Sequence, residues 1–240
     1  MMKLKKGEIT VKRLLAVLLC CLLLSACAVP EKPTENPFPV YPTREFENDN
    51  GFHLNPPEGY PMETLFEELV VLTEKSAAGG LIEVEVQFVE DGPTAFTGLE
   101  EGSLEYLKAK VRRDDYLRLL KITKVHKGDF EEGEYVLYRC AAHNEGHAPI
   151  FRPLETYLLC ADRWEEEQVG TQHGGLVASH TSAGIFYLDG GKVFPAADAE
   201  EYERFSSISV KEFLRLWKET ADEMLPKYDA FRAASRDENE

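Results

Sequence analysis

The densest group of ligand-type side chains is His143-Asn144-Glu145-Gly146-His147. Two imidazoles and a carboxylate suit zinc. The zincin pattern H-E-x-x-H works because a helix brings both histidines to one face. Here Glu145 stands elsewhere in the pattern, and Gly146 and Pro149 argue against a helix. A loop would have to gather the ligands, with His173 or His180 as a third from a neighbouring strand. A polar surface loop with incidental histidines is the stronger reading of the same residues. Nucleophilic chemistry has less support. There is no G-x-S-x-G elbow, no S-x-x-K pair and no C-x-x-C. Cys140 and His143 lie three apart at a strand end, which does not guarantee that thiol and imidazole meet. His180-Thr181-Ser182 is equally non-specific. Gly174-Gly175 and Gly190-Gly191 lack the helix start of a phosphate loop. Trp217 belongs to an apolar helix stripe and reads as core. Trp164, ahead of Glu165-Glu166-Glu167, is the better exposed aromatic platform. No residue is assigned a catalytic role.

Cys27 is different. Lys3, Lys5, Lys6, Lys12 and Arg13 precede the apolar run Leu14 to Leu24, and Leu24-Ser25-Ala26-Cys27 closes it. A basic start, a short apolar middle and small residues at a cut describe an export signal. Leu-Ser-Ala-Cys resembles the lipobox of bacterial lipoproteins. That resemblance implies a diacylglyceryl group on the Cys27 thiol, cleavage before it, and attachment to the outer face of the cell membrane. The run is too short for a span of about 20 apolar residues. Ala26-Cys27-Ala28 also fits ordinary signal cleavage, but a thiol has no purpose there. A buried helix would need one face unlike the other, and Leu14 to Leu24 offers none.

The chain carries 27 basic and 43 acidic residues, a formal net charge of −16, and loss of the basic signal makes the remainder more acidic. Such a surface repels phosphates, so nucleic acid is not an expected partner. The acids cluster as Glu67-Glu68, Glu100-Glu101, Glu131-Glu132, Glu165-Glu166-Glu167 and Glu200-Glu201. They read as solvated turns and helix faces. A site for cations or basic peptides is the sharper reading, without support from their spacing. Cys140 and Cys160 are the thiols left beside Cys27. A simple hairpin over residues 142–154 would pair Cys140 near Thr156, so two separate buried thiols are favoured over a disulfide.

The elements that position these residues follow from periodicity. Residues 27–61 hold Pro30, Pro33, Pro37, Pro39, Pro42, Pro56, Pro57 and Pro61 and read as a semi-rigid tether. Phe38, Tyr41, Phe46 and Phe52 suggest that part of it lies against the domain. Met62, Leu65, Phe66, Leu69, Val70 and Thr73 have helical spacing. Ile82, Val84, Val86 and Phe88 alternate with polar residues, as in a half-buried antiparallel strand. An excursion over 90–114 carries a short helix at Ser103 to Lys110. Tyr116 to His126 is a longer strand whose alternation breaks at Leu119-Leu120, which indicates a bulge or burial on both faces. Lys127-Gly128-Asp129 is a turn. Further strands cover Glu134 to Ala141, Thr156 to Ala161, Gly174 to His180, Gly184 to Leu188 and Lys192 to Phe194. Asp189-Gly190-Gly191 marks a tight hairpin. Ser209-Val210-Lys211-Glu212 is a capping box, and Pro226 is expected to end the helix that it opens.

Leu65-Phe66-Glu67-Glu68-Leu69 leading to Ile82-Glu83-Val84 is the first of four stretches with a shared resemblance. The others are Val125-His126-Lys127-Gly128-Asp129, Leu154-Glu155-Thr156-Tyr157-Leu158-Leu159 and Gly184-Ile185-Phe186-Tyr187. Together they look like exported OB-like barrel domains of uncharacterised bacterial lipoproteins. The resemblance implies a mainly β fold with flanking helices (α+β): a small closed antiparallel OB-like barrel with one N-terminal and one C-terminal helix. It implies no chemistry. The expected organisation is a signal over 1–26, a tether over 27–61, the barrel domain over 62–228 and a mobile tail over 229–240. The expected function is a lipid-anchored, non-enzymatic module for an envelope protein, peptide or glycan, without a cofactor. Its binding rim is expected at His143, His147, Trp164 and His173. One alternative is a zinc-dependent, hydrolase-like enzyme using His143, Glu145 and His147. Another is an OB-like peptidase inhibitor, although those are cysteine-rich at the N-terminus, whereas Cys27 is the only cysteine between the expected cut and Cys140.

Overall fold

A computed structural model describes residues 36–42, 59–92, 94–115, 117–139, 151–164, 175–178 and 181–237. The chain divides into two compact units, Met1–Thr34 and Glu35–Glu240, and the first lies wholly outside the described residues. No described helix is long and apolar enough to cross a membrane.

Helix α1 (Leu65–Lys75) begins where Thr64 accepts a bond from the Glu67 N–H and Glu67 reaches back to the Thr64 N–H. This reciprocal cap satisfies amide groups that the first helical turn leaves unpaired. Helix α2 (Leu104–Val111) starts at Ser103, and α3 spans Val210–Asp237. The strands are β1 (Tyr41–Pro42), β2 (Gly79–Val86), β3 (Leu117–Lys127), β4 (Tyr135–Arg139), β5 (Thr156–Trp164), β6 (Gly175–Ala178), β7 (Ile185–Asp189), β8 (Lys192–Pro195), β9 (Ala197–Asp198) and β10 (Ile208–Ser209). Eight of them form one sheet in the order β10-β8-β7-β5-β2-β3-β4-β6, while β1 pairs with β9 in parallel.

The expected closed OB-like barrel is not what this chain builds: the sheet is open. Along one side of β5, β2 pairs from Gly79 to Glu85. The other side is shared, β7 taking Thr156 to Leu159 and β6 taking Ala161 to Trp164. Strands β7, β8 and β10 therefore run off as an extension that a closed cylinder has no place for. At the far side β6 meets β4 at one pair, Tyr138 with Leu176, in parallel. One bridge is not a ladder. The peptidase-inhibitor alternative loses its structural premise with the barrel. The strands β4 and β5 are not neighbours either, because β2 and β3 lie between them. The hairpin used to weigh Cys140 against Cys160 does not form. Cys160 is a free, fully buried thiol, and Cys140 lies outside the described residues.

Alternation divides the sheet into two faces. Tyr157, Leu159 and Ala161 of β5 join Ile82, Val84 and Val86 of β2 in an inner core. Leu158 and Cys160 point the other way, beneath α1 and α3. That second core is largely aromatic. Phe66 contacts Phe205 at 4.4 Å between ring centroids, and Phe213 and Trp217 each at 5.9 Å. The Trp217 indole N–H donates to Glu74 Oε1 at 2.9 Å, which ties α3 to α1. Leu119 packs with Leu107 of α2, whereas Leu120 faces the inner core. The broken alternation in β3 thus reflects burial on both sides. Separate register shifts against β2 leave His126 and Thr123 without partners across the pair.

Helix α3 runs through Pro226 to Asp237, past its expected stop. Leu225 and Tyr228 pack with Met62, Val71 and Met224, and Phe231 meets Tyr60 edge-on at 5.5 Å. A Lys75–Asp229 ion pair adds to these contacts. Packing of this kind offsets the hydrogen bond that a helical proline removes.

Candidate binding site

A cavity of about 630 Å³ opens where three chain reversals meet. Ala77 and Ala78 come from the turn after α1, and Asp129, Glu131 and Glu134 from the turn between β3 and β4. Arg163 comes from the end of β5. Register explains the meeting. Gly79 and Gly80 pair with Asp162 and Ala161, and the Arg163 N–H donates to the Ala78 carbonyl at 3.0 Å. This brings Arg163 beside the turn that Lys127-Gly128-Asp129 starts.

Phe130 lies against Arg163, a residue of the cavity wall. The Arg163 guanidinium lies 4.8 Å from the Phe130 ring centroid. A Cβ on Gly80 would fall 2.1 Å from Phe130 Cε2, and one on Gly128 would fall 2.8 Å from the Gly79 carbonyl oxygen. Gly128 also has φ +100°, which L side chains rarely adopt. These glycines make the room in which Phe130 folds back.

Arg163 grips Glu134 with two parallel bonds, Nη1 to Oε1 and Nη2 to Oε2, both 2.8 Å. Partial burial pushes the Glu134 carboxyl up. The Arg163 bonds and charge outweigh this and hold it below the usual carboxylate range. A depressed folded-state pKa adds stability above the unfolded value, and that stability is lost as pH falls through the folded value. Glu134→Gln is expected to cost about 1 kcal/mol or less near neutral pH, because Arg163 is largely solvated. The cost should shrink as pH falls through the lowered folded-state value of Glu134 and vanish once that carboxyl is protonated; denaturant unfolding followed down through the acid range measures it. Asp129 and Glu131 also face the cavity. It can therefore receive a cationic group, with the Glu134–Arg163 pair as a fixed wall.

Most side chains singled out in the sequence lie outside the described residues: Cys27, His143, Glu145, His147, His173 and His180. Of Trp164 the backbone is described, and it pairs with Gly175. His126 is the described histidine, and its Nε2 lies 2.7 Å from Glu83 Oε1. Among the described residues no three His, Cys, Asp or Glu side chains form a group that could hold a metal ion. The anchors of the two expected rim segments lie near one another. The first leaves β4 at Arg139 and returns at Phe151, whose ring sits 4.4 Å from Tyr138. The second leaves β5 at Trp164 and enters β6 at Gly175. Tyr138 bridges Leu176, so Arg139 and Gly175 each lie one residue from that bridge and the two segments leave from neighbouring positions. Only the Trp164 exit adjoins the cavity, one residue beyond Arg163.

Arg163, Glu134, Asp129 and Phe130 were not candidates from sequence. The local signals were Gly128, which marks a reversal rather than a site, and Glu131-Glu132, one acidic cluster among five. Comparison with known proteins finds no matching family model, no matching curated protein and no matching solved structure.

Proposed function

We propose that this chain is an exported protein held at the outer face of the cell membrane by a lipid on Cys27. We further propose that its folded domain is a non-enzymatic module binding an envelope partner. The anchor reading rests on the basic start, the short apolar run and Leu24-Ser25-Ala26-Cys27. The binding reading is carried by the cavity at the β3–β4 turn. Its volume falls within the roughly 300–1,000 Å³ of ligand pockets. Its exposed carboxylates Asp129 and Glu131, in a chain of formal charge −16, favour a basic peptide or protein segment over a neutral glycan.

The test uses a lysine-rich decapeptide titrated against the full chain and against Asp129→Asn/Glu131→Gln. Both positions are exposed, so the fold should tolerate the change. Removing two cavity charges is expected to weaken binding by about tenfold, and the loss should shrink as salt rises. Equal affinity of the two proteins at low salt would sink this choice of site.

A further inference from the structure

The proline-rich segment is not a free spacer along its whole length. Residues 36–42, Asn-Pro-Phe-Pro-Val-Tyr-Pro, lie in a slot on the extension of the sheet. The Asn36 side-chain amide donates to the Pro195 carbonyl at 2.9 Å, and its Oδ1 accepts from the Phe38 N–H at 3.0 Å. The Phe38 ring stacks on Tyr187, with centroids 4.5 Å apart and planes 9° apart, and meets Phe194 at 5.3 Å. The Tyr187 hydroxyl donates to the Pro39 carbonyl at 3.1 Å. The backbone at Tyr41 and Pro42 then pairs with Ala197 and Asp198. Phe38 also ends a row of rings that continues through Tyr187, Tyr157 and Phe151 to Tyr138. Its seat is thus continuous with the inner core.

The sequence suits this seat. Pro37, Pro39 and Pro42 fix an extended backbone in advance, so seating orders little that was free. Alternating contacts follow: Asn36 and Phe38 supply side chains, and Pro39 supplies a carbonyl.

We propose that the slot formed by Tyr187, Phe194, Pro195 and β9 is a recognition site for an extended peptide bearing asparagine, phenylalanine and proline. Its resident ligand is this chain's own segment 36–42. Seating that ligand clamps the tether and sets how far the domain reaches from the bilayer. The consequence for reach rests on the Cys27 anchor proposed above. With the segment seated, the nine residues from Cys27 to Asn36 span at most about 30 Å. With it released, the bound is set by the chain from Cys27 to Gly59, whose contour is at most about 110 Å. The domain then has a membrane-proximal and a far-reaching state, divided by one aromatic plug.

The experiment places the full lipidated chain in phosphatidylcholine vesicles containing a dansyl-headgroup lipid. Energy transfer from the native tryptophans reports proximity. Two variants are compared with the natural chain. Phe38→Ala empties the plug. A Gly/Ser insertion of about nine residues between Pro33 and Thr34 doubles the clamped tether and leaves the domain untouched. Both should reduce transfer to less than half. If the insertion leaves transfer unchanged, the clamp does not exist, whatever Phe38→Ala does to folding. If transfer falls only where light scattering shows a dimer exchanging the segment, seating within one chain is wrong. If no form partitions to the vesicles, the Cys27 reading fails instead. In that case exposure of the Val40–Tyr41 bond to proteinase K still tests the slot: protection lost in Phe38→Ala supports it, and cleavage of the natural chain at that bond overturns it.

Discussion

Phe66→Ala is expected to cost about 3–5 kcal/mol, the largest effect of any single truncation considered for this chain. Phe66 is fully buried in α1 and faces four aromatic rings, Tyr202, Phe205, Phe213 and Trp217. Those rings come from the 3₁₀ turn Glu200–Phe205 and from α3, so the cavity left behind borders three elements at once. Rigid neighbours close such a void poorly, and the residual cavity adds to the lost transfer free energy. The loss should appear as a fall in the denaturant midpoint with little change in slope. A cost below about 1 kcal/mol would mean that this aromatic core does not join the helices to the sheet.

Gly128→Ala is expected to be the second most damaging change, and its effect should concentrate at the cavity. The φ of +100° alone costs an L residue about 1–3 kcal/mol. The new methyl would also lie 2.7 Å from the Phe130 ring and 2.8 Å from the Gly79 carbonyl oxygen. The ring can yield, but the carbonyl belongs to β2 and cannot. Overpacking of this kind adds a term of about 1–3 kcal/mol. Gly133→Ala separates the two contributions. Gly133 has φ +91° and open space where its Cβ would stand, so it pays for conformation alone. Equal costs at Gly128 and Gly133 would show that close approach of the turn to β2 contributes nothing.

What could be read from the sequence was local. Ser209 accepts from the Glu212 N–H at 3.1 Å, one half of the expected capping box, while the Glu212 carboxylate turns to Arg215. Gly190 and Gly191 both have positive φ between β7 and β8. Ile82, Val84 and Val86 form one buried face of β2, while Phe88, beyond the strand's end, is exposed. Each rests on residues a few positions apart. The closed barrel failed because closure depends on which distant edges meet. Nothing in the four residues of β6 reveals that they share one side of β5 with β7 and touch β4 once. Pro226 misled because its local cost is real, and the contacts that offset it come from Tyr60 and Lys75, far away in sequence. The cavity was hidden for the same reason: Arg163 and Glu134 are 29 positions apart. The tether shows the reverse. Its prolines were legible as extended chain, but an extended chain serves equally as a spacer and as a ligand, and only Tyr187 and Phe194 decide for the second over residues 36–42.

The anchor is the claim on which location, tether and function all depend. Its most direct test is the mass of the N-terminal proteolytic fragment of the protein recovered from its native membrane. The account predicts a fragment that begins at Cys27 and carries a diacylglyceryl group on the thiol. A fragment that begins at Val29, or that retains Cys27 unmodified, would contradict it.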